Sequence, residues 1–488
     1  MRRFLRGGAA AVLASAVLLA GACVNQPATN TSNTAAPPSN ANANANSNAN
    51  TNTRAAGANT APVTLAVLDA LFVDEKFAGE LKSRLGLTDE QVESVRKLAR
   101  EETAALRESE GDEERAATTT EATRRASEKI RAVVGPEKTE QLLAYAGERW
   151  ASGGEEGASG GAAAGASAPN SVPDDTRVVV NIPAYRMDAF ENGKLVKSYK
   201  VGIGYPEFPL PTGLRRASQI IFNPTWTPPD EPWVEASTKV KPGERVEAGS
   251  KLNPLGLIKI PIGSPSLIHG GKSPARLGTF ASHGCVGLTN PQVQDFAQLL
   301  ARLGGAEVSK EDVASYAKTR TETKDVKLGR PVPVELRYET IVVSDGRLHI
   351  YRDVYDKGTN TEENLRAVLQ AHGVAPEQLS EEERAQVQQA LTEMARDAAG
   401  RPADGTPSAT PSPTPAAKRE SANANKGPER VTRNVKGRKE VVIQIAALAG
   451  KGYPAPSGEG FALPKDATAP KQQQKQQADR PARAAARR

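Results

Sequence analysis

Apolar positions change their period repeatedly along this chain, and each change marks a different architecture. From Thr64 to Trp150 they recur at helical spacing: Leu65, Leu68, Leu71 and Phe72, then Val92, Val95 and Leu98, then Leu142 and Leu143. Thr88-Asp89-Glu90-Gln91 reads as a capping box that opens a helix, and Gly135-Pro136 as a stop followed by a new start. At Arg177 the pattern turns strand-like. RVVVNIPAYRMDAFENGKLVKSYKVGIG alternates or runs apolar around a hairpin turn at Glu191-Asn192-Gly193-Lys194. Pro- and Gly-punctuated segments continue to Val308. Two further strand runs, VPVELRYETIVV from Val332 and RLHIYRDVY from Arg347, turn at Ser344-Asp345-Gly346. Thr361 to Ala398 returns to helical spacing, with Ser380-Glu381-Glu382-Glu383 as another capping box. A short apolar run, Val441 to Ile445, predicts one more strand, for which nothing in the sequence identifies a partner.

Between these regions the chain lacks the apolar residues to bury a core. The Asn/Ala/Thr/Ser tract from Asn25 to about Ala61, the Gly/Ala/Ser stretch from Ala151 to about Thr176, and the Pro-, Ala- and Gln-rich tail from Gly400 onward read as disordered or as flexible linkers. The predicted organisation is therefore a leader at 1–23, a linker at 24–62, a helical region at 63–150, a second linker at 151–176, a mainly-β domain at 177–357, a helical segment at 358–399 and a mostly disordered basic tail at 400–488. The helical region contains no His or Cys and offers no chemistry of its own; a spacer or a dock for a protein partner is its expected role.

The leader changes the expected compartment. Met1 to Arg6 is basic, and Gly7 to Ala20 is apolar but too short to span a bilayer. Leu19-Ala20-Gly21-Ala22-Cys23 follows. This is a secretory signal, and a Cys directly after the small residues resembles a bacterial lipobox. That resemblance implies lipidation of Cys23 as the mature N-terminus, with ordinary secretion as the alternative. Val24 stands where an Asp would retain such a lipoprotein at the inner membrane, so attachment to the outer membrane is expected in a cell with two membranes. The net charge of +6 is small for 488 residues and an exported chain is not expected to meet nucleic acid. The cationic end (Lys471, Lys475, Arg480, Arg483, Arg487, Arg488) suits anionic envelope polymers or lipid headgroups, or is simply a solvated tail.

The chemistry concentrates between Leu267 and Asn290, LIHGGKSPARLGTFASHGCVGLTN. Cys285 is one of only two cysteines in the chain, so a lipidated Cys23 leaves it without an intramolecular partner in an oxidising compartment. A lone thiol with His269 and His283 nearby is a candidate acyl-transfer nucleophile, because a thiol needs a base within reach. A zinc site would need a third strong ligand that the sequence does not offer, and no cofactor is expected. A buried, inert cysteine is the bland alternative.

His269, Gly270 and the SHGCV run resemble the signature of the YkuD-type L,D-transpeptidases, which cross-link bacterial peptidoglycan through a cysteine. Pro211-Thr212-Gly213, the Asn223 to Pro229 segment and Asn253-Pro254-Leu255-Gly256 are similar to segments of the ErfK-like branch of that family. The resemblance covers about residues 177 to 357 and implies a β-sandwich-like pair of mixed sheets acting on peptidoglycan stem peptides. It makes Cys285 the nucleophile and His269 its base and proton carrier, with the ring oriented by the Gly270 carbonyl. A neighbouring imidazolium lowers a thiol to roughly 3.5–7.5, so thiolate is expected at neutral pH. His283 would line the site and help hold substrate or the oxyanion, beside Ser282. Backbone N–H groups of Gly284 and Cys285 would be oxyanion donors. Trp226 and Trp233 would flank the peptide groove or serve as ordinary core aromatics. One position departs from the family: Gly287 stands where Arg follows SHGCV, and Arg276, between the two histidines, is the expected substitute. The resemblance leaves the acceptor open among a stem amine, a lipoprotein lysine and water. Degeneration at Gly287 into a non-catalytic wall-binding lipoprotein is the rival reading.

Overall fold

The computed structural model describes residues 62–108, 118–152, 168–228, 240–241, 243–264, 266–402, 434–458 and 461. The leader with Cys23, the Asn/Ala tract, most of the second linker, Trp233 and most of the basic tail lie outside the described residues.

The N-terminal region is helical, as its apolar period predicts: α1 (Leu65–Leu71), α2 (Glu75–Leu85), α3 (Asp89–Glu108), α4 (Thr119–Val134) and α5 (Pro136–Ser152). Side chains set the boundaries. Thr64 and Asp74 cap α1 and α2, and α2 ends on Gly86 in the left-handed region at φ 60°. The capping box read at Thr88 forms, with Gln91 N–H donating to Thr88 Oγ1 and Thr88 N–H to Gln91 Oε1, both at 3.1 Å. Leu68, Phe77, Leu81, Val95, Ile130 and Leu142 are fully buried in one cluster with Trp150. Burying each large apolar side chain contributes about 1.5–3 kcal/mol.

These helices grip a loop of the β region. Thr64 Oγ1 donates to the Glu207 carbonyl (2.7 Å), Thr119 Oγ1 to the Pro206 carbonyl (2.9 Å) and Trp150 Nε1 to the Pro209 carbonyl (3.2 Å). Arg215 donates to the Trp150 carbonyl. Trp150 therefore ties the helical core to the β region, and Trp150→Ala is expected to lower the unfolding free energy by about 3–5 kcal/mol. Denaturant unfolding checks this; a loss below ~1 kcal/mol would mean that the helices hold the loop without that ring.

The β region is a curled mixed sheet of β1 (Arg177–Asn181), β2 (Arg186–Glu191), β3 (Lys194–Lys200), β5 (Gly213–Phe222), β6 (Ile258–Pro261), β7 (Leu267–His269), β9 (Val286–Gly287) and β10 (Lys324–Arg337), in the order β3-β2-β1-β10-β5-β6-β7-β9. The β1/β10 and β7/β9 pairs are parallel and the others antiparallel. Strands β4 (Ile203–Gly204) and β8 (Phe280–Ser282) pair in a two-stranded parallel sheet, which the Gly202–Gly287 bridge joins to β9. The β2/β3 hairpin turns at Asn192 and Gly193, both at positive φ (48° and 78°), which a two-residue turn of this hand requires. Helix α6 (Asn290–Leu303) buries Val293, Phe296, Ala297 and Leu300 in this core, and α7 (Lys310–Lys318) follows it.

The strand pair expected to close this domain, β11 (Ile341–Ser344) and β12 (Arg347–Tyr351), forms a sheet of its own. Its third member is β13 (Glu440–Gln444), antiparallel to β12 with Leu348 opposite Ile443. The apolar run near the C-terminus thus finds its partner. Helices α8 (Glu362–Ala371) and α9 (Glu381–Met394) cover this sheet through Leu365, Val368, Leu369, Val387 and Leu391. The Ser380 capping box opens α9 as read.

Candidate active site

Adjoining parallel strands carry His269 at the end of β7 and Cys285 just ahead of β9. In the β7/β9 register Ile268 pairs with Val286 and His269 with Gly287. Ile268 and Val286 are fully buried, so the alternating residues His269, Cys285 and Gly287 share the opposite face. Diagonal neighbours on one face of a sheet are close enough for long side chains to meet. His269 accordingly stands across from a bare glycine and diagonal to the thiol.

Local hydrogen bonds fix both groups. His269 Nδ1 lies 2.7 Å from the Gly270 carbonyl. A carbonyl only accepts, so Nδ1 carries the proton and Nε2 is the basic nitrogen. Asn290, at the start of α6, accepts from the Gly271 N–H (3.0 Å) and the Leu257 N–H (3.1 Å), tying the loop after His269 to the loop before β6. Gly256 has to be glycine here, because a Cβ would lie 2.3 Å from Gly271 N and 2.5 Å from Asn290 Oδ1. Ser282 Oγ accepts from the Cys285 N–H at 3.0 Å and donates to the Cys285 carbonyl. Of the two expected oxyanion donors, the Cys285 N–H is therefore engaged within its own turn. The Gly284 N–H donates to no protein acceptor among the described residues.

The ionisation differs from the thiolate the sequence led us to expect. Burial, with the Lys272 ammonium nearby, pushes His269 down to about 3, against the Gly270 and Leu255 carbonyls, which favour the charged ring. Burial also pushes the half-buried Cys285 thiol up, against a Leu267 backbone hydrogen bond and Lys272, which favour the thiolate. Desolvation wins at both groups, so the resting pair is neutral imidazole and neutral thiol. Iodoacetamide alkylation of Cys285 should therefore climb roughly tenfold per pH unit between pH 6 and 8, as thiolate fraction does below a thiol's pKa. A flat rate across that range would instead reveal an ion pair.

The remaining expected residues fall around this pair. His283 is exposed, and its ring meets Tyr205 (centroids 5.1 Å apart) and Phe208 (4.6 Å) edge-on. Arg276 donates to the Tyr205 hydroxyl at 3.0 Å, so it braces the aromatic that leans on His283. Gly287 instead faces Lys272: a Cβ there would meet Lys272 Cγ at 2.8 Å and Cε at 3.0 Å. Trp226 is half-buried and pairs through its backbone with Val246, N–H to carbonyl at 3.0 Å and back at 2.7 Å. Among the described residues no His, Cys, Asp or Glu cluster is arranged to hold a metal ion.

Residues 175–334 match the YkuD family, the L,D-transpeptidase catalytic domain. Solved structures similar to the chain include the Enterococcus faecium L,D-transpeptidase (14% identity, 33% of this chain and 50% of that one, TM-score 0.20). The isolated E. faecium catalytic domain is similar at 16% identity over 34% of this chain and 100% of that one, TM-score 0.22. An L,D-transpeptidase from Mycobacterium smegmatis is similar at 16% identity over 33% of this chain and 58% of that one, TM-score 0.20. The chain spans about half the length of the first solved structures it matches, 49% and 50%. No curated protein matches it.

Around the YkuD domain, sequence reasoning missed Lys272, Asn290, Tyr205, Phe208 and Trp150. Trp150 lies against the SHGC turn: a Cβ on Gly284 would be 3.7 Å from its ring. The helical region thus reaches the loop that carries Cys285. No local signal in the sequence marks that contact.

Proposed function

We propose that this chain is a peptidoglycan L,D-transpeptidase that works by cysteine acyl transfer. The observation that carries this reading is the His269 ring, oriented by the Gly270 carbonyl on the strand next to the only free cysteine among the described residues. The donor is a stem tetrapeptide. Cys285 Sγ attacks the carbonyl carbon of its third residue while His269 Nε2 takes the thiol proton. A neutral resting pair suits this order, since the thiol keeps its proton until the carbonyl arrives. The developing oxyanion is met by the Gly284 N–H. His269 then returns the proton to the departing D-Ala amine, the C–N bond breaks, and a thioester remains. An acceptor amine attacks that thioester, giving its proton through His269 to the leaving sulfur.

Intact-mass analysis of the purified full chain with a carbapenem and with disaccharide-tetrapeptide tests this. An adduct that disappears in Cys285→Ala, with cross-linked dimer from the tetrapeptide, is the expected result. Adduct with tripeptide alone would make the acceptor water and the chain an L,D-carboxypeptidase. Neither adduct nor turnover would leave a wall-binding protein. Export with a lipid on Cys23 is part of the same reading; incorporation of labelled fatty acid in cells, lost in Cys23→Ala, checks it.

A further inference from the structure

We propose that Lys272, lying in the space that Gly287 leaves open, is the cation against which the Cys285 thiolate forms. It deepens the transpeptidase reading but is tested apart from it. Three observations carry it. The first is steric. Gly287 is not at positive φ, so its backbone would accept any residue, yet a Cβ would run into the Lys272 stem at Cγ, Cε and Cδ (2.8, 3.0 and 3.4 Å). The missing side chain is therefore what allows the Lys272 stem to lie across the strand that follows Cys285.

The second is anchoring. The Lys272 N–H donates to the Leu288 carbonyl at 3.0 Å, and the preceding Gly271 N–H is held by Asn290. Those bonds fix where the side chain starts, so its reach over Gly287 is built into the loop. The third is charge. Burial lowers the Lys272 ammonium below its ordinary value, and Cys285 is the group that acts in the opposite direction. The charged and titratable groups that bear on Lys272 are Cys285, His269 from β7 and Arg276 from the turn at Pro274–Arg276, with no carboxylate paired to Lys272 among the described residues, and Lys272 is the charge that bears on the thiol. A half-buried cation without a carboxylate is costly unless an anion forms beside it. The thiolate is that anion, and in acyl transfer it appears as His269 takes the proton. Lys272 touches no proton in this scheme; it acts by placing positive charge at the sulfur.

The test is alkylation of Cys285 in the full chain by iodoacetamide at pH 8, run beside thermal unfolding. Lys272→Met keeps the stem and removes the charge. It should slow alkylation roughly three- to tenfold, because losing a nearby cation raises a thiol pKa by about one unit while a more basic thiolate is somewhat more nucleophilic. Lys272→Arg should keep the rate. Gly287→Arg in a Lys272→Ala background, which removes the stem that a Cβ at Gly287 would meet, should recover it by returning a cation from the strand side. If Lys272→Met unfolds, Lys272→Gln gives the same reading with a polar end. Alkylation at the unsubstituted rate in a folded Lys272→Met or Lys272→Gln protein overturns the proposal. A slowed thiol in a chain that never acylates would keep Lys272 and discard the transpeptidase; normal acylation with an unmoved alkylation rate would do the reverse.

Discussion

With Gln in place of His269, acylation of Cys285 by a carbapenem should slow about 10²–10⁴-fold, the usual contribution of a positioned proton carrier. Gln is close to the ring in volume and has an amide N–H for the Gly270 carbonyl, so the turn is kept and the base alone is lost. The size of the effect follows from the resting ionisation. Because the thiol is pushed up by burial, little standing thiolate is left at neutral pH to react without the ring. The adduct mass followed over time measures it; a rate within threefold of the unsubstituted protein would mean that another group takes the proton. The same substitution has a signature in stability. His269 titrates near 6.5 when unfolded and about 3 when folded, so between those values the unfolded chain binds the extra proton. Stability is therefore lost through this group as pH falls from about 6.5 towards 3, and His269→Gln should flatten that part of the profile.

The second large effect concerns how much chain the YkuD domain needs. A fragment of residues 177–360 should show no cooperative unfolding transition, whereas residues 62–461 should. The core around the large sheet takes in Ala66 and Leu106 from the helical region, and Ala398 and Val435 from beyond the fragment. Tyr453 packs with Val179 and Phe190, and the Pro454 carbonyl accepts from Arg186 at 2.9 Å. Arg352 is the sharpest case. Its buried guanidinium donates to the Arg438 carbonyl at 3.1 and 2.8 Å and to the Glu393 carbonyl at 2.8 Å. All of those acceptors lie outside the fragment, and each buried donor left unpaired costs about 1–3 kcal/mol. Circular dichroism against temperature decides the matter; a single sharp transition in the short fragment, with Cys285 acylated at the full rate, would reverse the expectation.

Features fixed by neighbours in the chain were readable in the sequence. The turn at Asn192-Gly193, the capping boxes at Thr88 and Ser380, and the Gly270 carbonyl on His269 each depend on residues a few positions apart. Long-range placement was not readable. Arg276 was the natural substitute for the family's arginine by charge and proximity, but Lys272 fills that space, because only the β7/β9 pairing sets its loop beside Gly287. Burial was equally hidden. The SHGC motif suggests an activated thiolate, while the desolvation that keeps Cys285 protonated comes from the folded surroundings. The helical region showed its periods but not its target, since Thr64, Thr119 and Trp150 meet backbone carbonyls of a loop that carries no complementary pattern.

The late arrival of β13 has a consequence for the order of assembly. Tyr351 pairs with Glu440 across a long stretch of chain, and closing such a loop is entropically unfavourable and slow compared with forming the adjacent β11/β12 hairpin. Until β13 docks, β12 presents an open strand edge beside the apolar side chains of Leu348 and Ile350, the kind of template on which chains self-associate. A chain cut short before Glu440 keeps that edge permanently, so the distal strand is also this protein's protection against aggregation.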